Sequence, residues 1–232
     1  MTTIEAPRRP FDAVLCDLDN VIRFYDTTEL ADLERAAGLP VGTTESVAYA
    51  PETDLPLLLG AITTEEWVES VTAGLVGRVP RARARELATA LARAPFRADE
   101  VVVELLLAAR ALVPLVLVTN ATLDLEDDLE TLGLTDLADH VVSSARVRVA
   151  KPDPEIYEIA ARRAGVAADR CLFVDDRSEN VEAAAALGMS GLLYRDPGDL
   201  RAALERLRVS SSVSPAIAAP SPSRRGSPGT PG

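Results

Sequence analysis

The sequence predicts an α/β fold: a Rossmann-like parallel sheet core with helices on both faces and an inserted all-helical cap domain. Three observations carry this. Short apolar runs rich in β-branched residues alternate with amphipathic helical stretches through the second half of the 232-residue chain. The first apolar run, residues 11–18 (FDAVLCDL), ends in acid, the pattern of a buried parallel strand whose carboxyl end carries function. The stretch after this run, to about residue 96, is helical and far longer than the roughly 12 residues a strand-to-strand crossover needs.

Within that insert the helical pieces are TTELADLERAAG, a segment around 54–60, TTEEWVESVTAGLVG and PRARARELATALARA, opened by Thr or Pro signals. Trp67, Val71 and Leu75 fall at helical spacing and are expected in the insert's core. Arg81, Arg83 and Arg85 read as a solvated helix face. Beyond it, ADEVVVELLLAARALV reads as a helix, PLVLVTN as a strand, LEDDLETLGL as a helix and HVVSS as a short strand. Then DPEIYEIAARRAG (helix), RCLFVDD (strand), SENVEAAAALG (helix closed by Gly188), GLLYRD (strand) and GDLRAALERLR (helix) repeat the alternation. The expected division is a core of residues 1–23 and 97–208, a cap of 24–96, and a Ser/Pro/Gly-rich disordered tail of 209–232.

Composition narrows the function. The chain is 47% hydrophobic, enough to bury a core without staples. A net charge of −12 argues against binding nucleic acid or an anionic membrane, and 4% aromatic content is too little for a base-stacking platform. Cys16 and Cys171 sit inside expected buried strands and read as reduced and structural. The first residues, MTTIEAPRRPF, lack the apolar region of an export signal, so a soluble cytoplasmic protein is expected. His140, the single histidine, reads as a surface or strand-start residue and leaves no Ser–His–Asp triad. Of 24 Lys and Arg residues, Lys151 is the one lysine. A chain so biased toward Arg marks Lys151 as a place that needs a compact, flexible ammonium.

Parallel α/β sheets bind ligands beyond the carboxyl ends of their strands. Those ends carry Asp17-Leu18-Asp19, Thr119-Asn120 and Asp175-Asp176, with Lys151 opening the segment before a helix. Four carboxylates converging in a partly desolvated site repel one another, and a hard divalent cation with oxygen ligands, Mg²⁺, relieves that repulsion. Taken singly, each acid could be a helix cap or a solvated turn, and the KPDP segment a turn leading into a helix.

In usual order, DLDNV, LVTN, KPDPEIY and FVDDRSEN resemble the four motifs of the haloacid dehalogenase-like hydrolase superfamily, across residues 11–207. The insert between the first two resembles the helical cap of its phosphatase-rich first subclass. About 30 residues separate Asn120 from Lys151, too few for the alternative large cap. The resemblance implies a Mg²⁺-dependent phosphatase acting on a small phosphorylated metabolite, with a sugar phosphate as the default.

Carried over residue by residue, Asp17 is the nucleophile that forms an aspartyl-phosphate, and Asp19 protonates the leaving oxygen and then activates water. Mg²⁺ is held by the Asp17 carboxylate, the Asp19 backbone carbonyl, Asp175 and, through water, Asp176. Thr119 and the backbone N–H groups around Asn120 hold phosphate oxygens at a helix start, and Lys151 neutralises phosphate and nucleophile. Asn180 is assigned to orienting its loop. Asn20 stands where Gly is frequent in the family and is expected to tolerate the left-handed backbone. Arg23, Phe24 and Tyr25 lead into the cap, with Arg23 assigned either to substrate or to a salt bridge. The alternatives are a phosphomutase of the same family, a haloacid dehalogenase, which needs no proton donor for its halide, and a non-catalytic phosphoryl-binding or receiver-like protein.

Overall fold

A computed structural model describes residues 9–209, so the expected tail lies, beyond its first residue, outside the described residues. In chain order the elements are β1 (Ala13–Cys16), β2 (Arg23–Tyr25), α1 (Thr28–Ala36), α2 (Thr43–Ala48), α3 (Pro51–Leu58), α4 (Thr64–Leu75), α5 (Arg81–Ala92), β3 (Phe96–Ala98), α6 (Glu100–Arg110), β4 (Leu115–Thr119) and α7 (Leu125–Thr131). They continue with β5 (His140–Ser143), α8 (Ser144–Val147), α9 (Pro154–Ala164), β6 (Cys171–Asp175), α10 (Ser178–Ala186), β7 (Ser190–Leu193) and α11 (Pro197–Val209).

The core is a five-stranded parallel sheet in the order β5-β4-β1-β6-β7. β1 lies at its centre with every residue fully buried, which is why its sequence reads as an uninterrupted apolar run. Successive side chains point to opposite faces. Val14 and Cys16 join Val102, Leu106, Leu200 and Leu204 on the side of α6 and α11, while Leu15 joins Ile156, Tyr157 and Ala184 on the side of α9 and α10. Each fully buried Leu, Val or Ile contributes about 1.5–3 kcal/mol. The chain moves outward from β1 to β4 and β5, then crosses to β6 and β7, so the strand order reverses at β1. A crevice opens at such a reversal, beyond the carboxyl ends of the strands.

Helices α1–α5 form the insert, with an apolar cluster of their own that includes Leu30, Trp67, Val71, Leu75, Leu87 and Leu91. Thr63 and Glu66 close a reciprocal capping box at the start of α4. Arg81, Arg83 and Arg85 make exposed ion pairs with Glu69, Glu86 and Glu65, as a solvated face does. His140 is exposed at the start of β5, and Cys16 and Cys171 are buried free thiols. Among the described residues no helix is long and apolar enough to cross a membrane.

Local pattern misses three features. α2 is absent from the sequence expectation because it is six residues long, with no side-chain cap of its own. Its first N–H groups are satisfied from α1 instead: the buried Glu34 carboxylate accepts from Gly42 N–H at 2.7 Å and Thr44 N–H at 2.6 Å. The four-residue α8 is absent from that expectation as well. The third is an antiparallel ribbon of β2 and β3, pairing Tyr25 with Phe96 beside the expected cap boundaries at 24 and 96. Three-residue strands are too short for a periodicity signal.

The insert also touches the core away from this ribbon. The Ser144 hydroxyl donates to the Leu58 carbonyl at 2.6 Å, and Thr64 donates to Asp124 at 2.5 Å. Gly60 has φ +64°, and a Cβ there would lie 2.7 Å from the Ala145 carbonyl oxygen, so glycine is required for this close approach.

Candidate active site

The carboxyl ends of β1, β4 and β6 bring Asp17, Thr119 and Asp175 together. Lys151, between α8 and α9, spans two of them: its ammonium lies 2.7 Å from Asp17 Oδ1 and 2.7 Å from Asp175 Oδ2, and its side chain is 1% exposed. Asp17 Oδ1 also accepts from the Leu18 N–H at 2.7 Å, so the hydrogen bonds fall on one carboxylate oxygen. Burial alone would lower the lysine's pKa, but Asp17 and Asp175 outweigh it and hold the ammonium above its ordinary value. A compact cation fits between two buried carboxylates, as the single lysine of the chain does here.

Asparagines place this cluster. The Asn120 side chain grips the Lys151 backbone from both sides, donating to its carbonyl at 2.9 Å and accepting its N–H at 2.8 Å. Asn180 donates to Asp175 Oδ1 at 2.9 Å, where Arg177 N–H also donates, so it orients a carboxylate more directly than the loop role expected of it. Asn20 adopts φ 58°, the left-handed conformation expected there, and its side-chain amide lowers the Asp176 carboxyl against the rise from burial. A glycine could supply the first property but not the second.

Thr119 is fully buried, and its hydroxyl has no hydrogen-bond partner among the described residues. An orphaned hydroxyl at the end of the central strands is costly unless a ligand satisfies it. The expectation of a helix start at Asn120 needs correction: α7 begins at Leu125, with a short loop between, and Ala121 N–H is already bonded to Ser144 Oγ. Ser144 must tie the insert to the sheet, and that use of the Ala121 N–H cannot be read from the chain.

Oxygens of Asp17, Asp175 and Asp176 lie within 4.8 Å of one another. These are hard donors of the kind Mg²⁺ takes. Lys151 alone does not balance them. Burial pushes the Asp17 carboxyl up to about 7, with Asp175 and Asp19 adding to the rise and Lys151 opposing it. Burial, and then Asp175, also raises Asp176. The residues therefore fit a divalent cation. The Asp19 side chain stands apart: it is 31% exposed and is gripped by Arg23, through Nε at 2.6 Å and Nη2 at 3.1 Å. Arg23, open between substrate and salt bridge on sequence grounds, makes the salt bridge, although it also lines the cavity.

That cavity, about 720 Å³, separates the insert from the sheet edge and has Asp17, Asp19 and Lys151 at its floor. Tyr25, Tyr49, Trp67 and Phe96 are among its walls. Trp67 is thus both insert core and cavity wall, and its buried indole N–H has no partner among the described residues. Asp54 also lines the cavity, and burial pushes its carboxyl up to about 6, with Arg177 opposing. Between about pH 4 and pH 6 the folded protein therefore keeps a proton that the unfolded chain has released, and stability from this group is lost as pH rises through that window. Asp54→Asn removes the ionisation and is expected to stabilise the protein near pH 7.5 by about 1 kcal/mol, the shift being discounted for the solvent screening of a partly exposed group, and by nothing near pH 4, measured by urea unfolding at both.

The sequence model of haloacid dehalogenase-like hydrolases matches residues 11–188, well over half of the chain. The chain belongs to that family. Among curated proteins, this hydrolase is 41% identical over 73 residues to a phosphatase of Mycobacterium tuberculosis, covering 32% of this chain and 34% of that protein. It is 40% identical over 63 residues to a chloroplast flavin mononucleotide hydrolase of Arabidopsis thaliana, covering 27% and 26%. The hydrolase thus spans about a third or less of the length of the curated relatives it matches. Among solved structures, a family enzyme of Bacteroides thetaiotaomicron in complex with magnesium and inorganic phosphate is 20% identical, with a TM-score of 0.61, covering 80% of this chain and 94% of that one. The L-2-haloacid dehalogenase of Xanthobacter autotrophicus is 24% identical, with a TM-score of 0.56, covering 88% and 85%. These two likenesses are of fold.

Proposed function

We propose that this hydrolase is a Mg²⁺-dependent phosphatase that cleaves a phosphate monoester of a small metabolite. The observation that carries this is the buried Asp17–Lys151–Asp175 chain beside the unpartnered Thr119 hydroxyl. Asp17 and Lys151 supply a nucleophilic carboxylate and a cation at the cavity floor, and Thr119, at the end of the neighbouring strand β4, supplies a buried hydroxyl for an oxygen ligand. The named phosphatases among its relatives support the same chemistry.

Asp17 attacks phosphorus, the bond from phosphorus to the leaving oxygen breaks, and Asp19 gives its proton to that oxygen. Asp19 then takes a proton from water, whose oxygen attacks the aspartyl-phosphate; the bond between phosphorus and Asp17 breaks and inorganic phosphate leaves. Thr119, Lys151 and the backbone N–H groups near Asn120, apart from that of Ala121, which Ser144 takes, hold the phosphoryl oxygens. Asp17, Asp175, the Asp19 backbone carbonyl and, through water, Asp176 would hold Mg²⁺, which supplies charge neutralisation to the phosphoryl group when bound.

The helical insert acts as a cap that keeps bulk water from the floor and sets the leaving group that fits, within a core of 1–23 and 97–208 and a cap of 24–96. A dehalogenase has less use for Asp19 as proton donor and for the Asp175–Asp176 pair. A screen of sugar, nucleotide and cofactor phosphates, with and without Mg²⁺, is expected to release inorganic phosphate from at least one class only when the ion is present. An isomerised sugar phosphate as product, in place of free phosphate, would establish the mutase alternative. Stable phosphorylation without turnover would favour a receiver-like protein.

A further inference from the structure

Arg23 is almost wholly buried, at 3% exposure, although it sits at the mouth of a polar cavity. Every part of its guanidinium is committed. Nε and Nη2 grip the two oxygens of Asp19, and Nη1 lies 2.6 Å from Asp128 Oδ2 on α7. Its Cζ lies 5.0 Å from the Tyr25 ring centroid and 5.5 Å from that of Phe96, and those rings meet edge to face at 5.6 Å. β2, β3 and α7 thus all converge on one side chain that holds a carboxylate still 31% exposed to the cavity side with that grip in place. Exposed carboxylates on short loops sample several rotamers, and a two-point planar grip removes that freedom.

We infer that Arg23 is the positioning residue for Asp19, fixing its carboxylate where the leaving oxygen arrives, with Asp128 and the Tyr25–Phe96 pair fixing Arg23 in turn. The inference rests on the phosphatase reading of the same site. A lysine keeps the charge but cannot make the parallel pair of hydrogen bonds. Arg23 acts through proton transfer, so its loss harms substrates in proportion to their need for a proton.

Benzyl phosphate and p-nitrophenyl phosphate separate these cases. They are similar in size, but nitrophenolate departs without a proton and the benzyl alkoxide does not. The quantity to compare is kcat/KM, which ends at the first irreversible step and excludes hydrolysis of the aspartyl-phosphate. Arg23→Lys is expected to lower kcat/KM for benzyl phosphate about 100-fold and for p-nitrophenyl phosphate less than about 3-fold. Asp128→Asn, which leaves Arg23 and Asp19 in place, is expected to show the same selectivity at about 3- to 10-fold, and serves if Arg23→Lys does not fold. In an Asp19→Asn background the Arg23→Lys change adds nothing, because the group it positions is gone. Equal losses on both substrates, or an undiminished effect in the Asp19→Asn background, would overturn the inference. Hydrolysis by Asp17→Asn at the wild-type rate would instead overturn the phosphatase reading on which it stands.

Discussion

Asp17→Asn is expected to lower phosphate release on the order of 10⁴-fold or more while leaving the fold intact. The amide is nearly isosteric and can still accept from Leu18 N–H through its carbonyl oxygen, but it offers no anionic oxygen to phosphorus. It also removes one of two carboxylates facing Lys151, so the ammonium shifts toward Asp175 and is not left bare. Two measurements check this: phosphate release with the best substrate from the screen, and acid-quench trapping of labelled enzyme, where wild type carries a phosphoryl group and the variant carries none. Equal turnover by the two proteins would remove Asp17 from the mechanism.

Lys151→Ala is expected to harm both stability and activity. The ammonium stands between two carboxylates that are 7% and 0% exposed at the side chain, and removing it leaves them facing each other without a counter-charge. Breaking a buried ion pair in this way costs about 3–5 kcal/mol, and here part of the cost is recovered when Mg²⁺ is added, because the ion replaces some of the lost positive charge. Activity is expected to fall about 10³-fold, since the phosphoryl group also loses a cation. Lys151→Arg tests whether charge alone suffices. The guanidinium is larger and planar, and the site is closed on the carboxylate sides, so Arg is expected to recover less than a tenth of wild-type turnover. Urea unfolding with and without Mg²⁺, alongside kcat, measures each effect. Full activity in the arginine variant would show that the single lysine is incidental.

That Asp17, Lys151, Asp175 and Asp176 gather in space was legible because the motifs place polar groups at the ends of apolar runs. Asp17, Thr119 and Asp175 all stand where a buried strand stops, and Lys151 precedes a helix whose start is marked by Asp153 and Pro154. How those groups are held was not legible. Asn120 serves the Lys151 backbone 31 residues away, and Arg23 joins Asp19 to Asp128 across 105 residues. A periodic pattern reports which face of an element is buried and carries no information on partners at such separations. α2 illustrates the same limit in the fold, since its N–H groups are capped from a neighbouring helix.

The order of the sheet strands and the longer helices, the acids at the strand ends and the extra helical segment were set by the chain's local chemistry. Burial favours alternating apolar patterns, and only a few polar residue types end them. Tertiary structure alone decided that Lys151 sits between Asp17 and Asp175, that Arg23 pairs with Asp19, and that an aromatic-walled cavity lies above them. Charges and hydrogen-bond donors are not used up locally in the chain. Their partners are settled only when packing brings distant elements within about 3 Å, and there the directional geometry of each bond selects one partner among several.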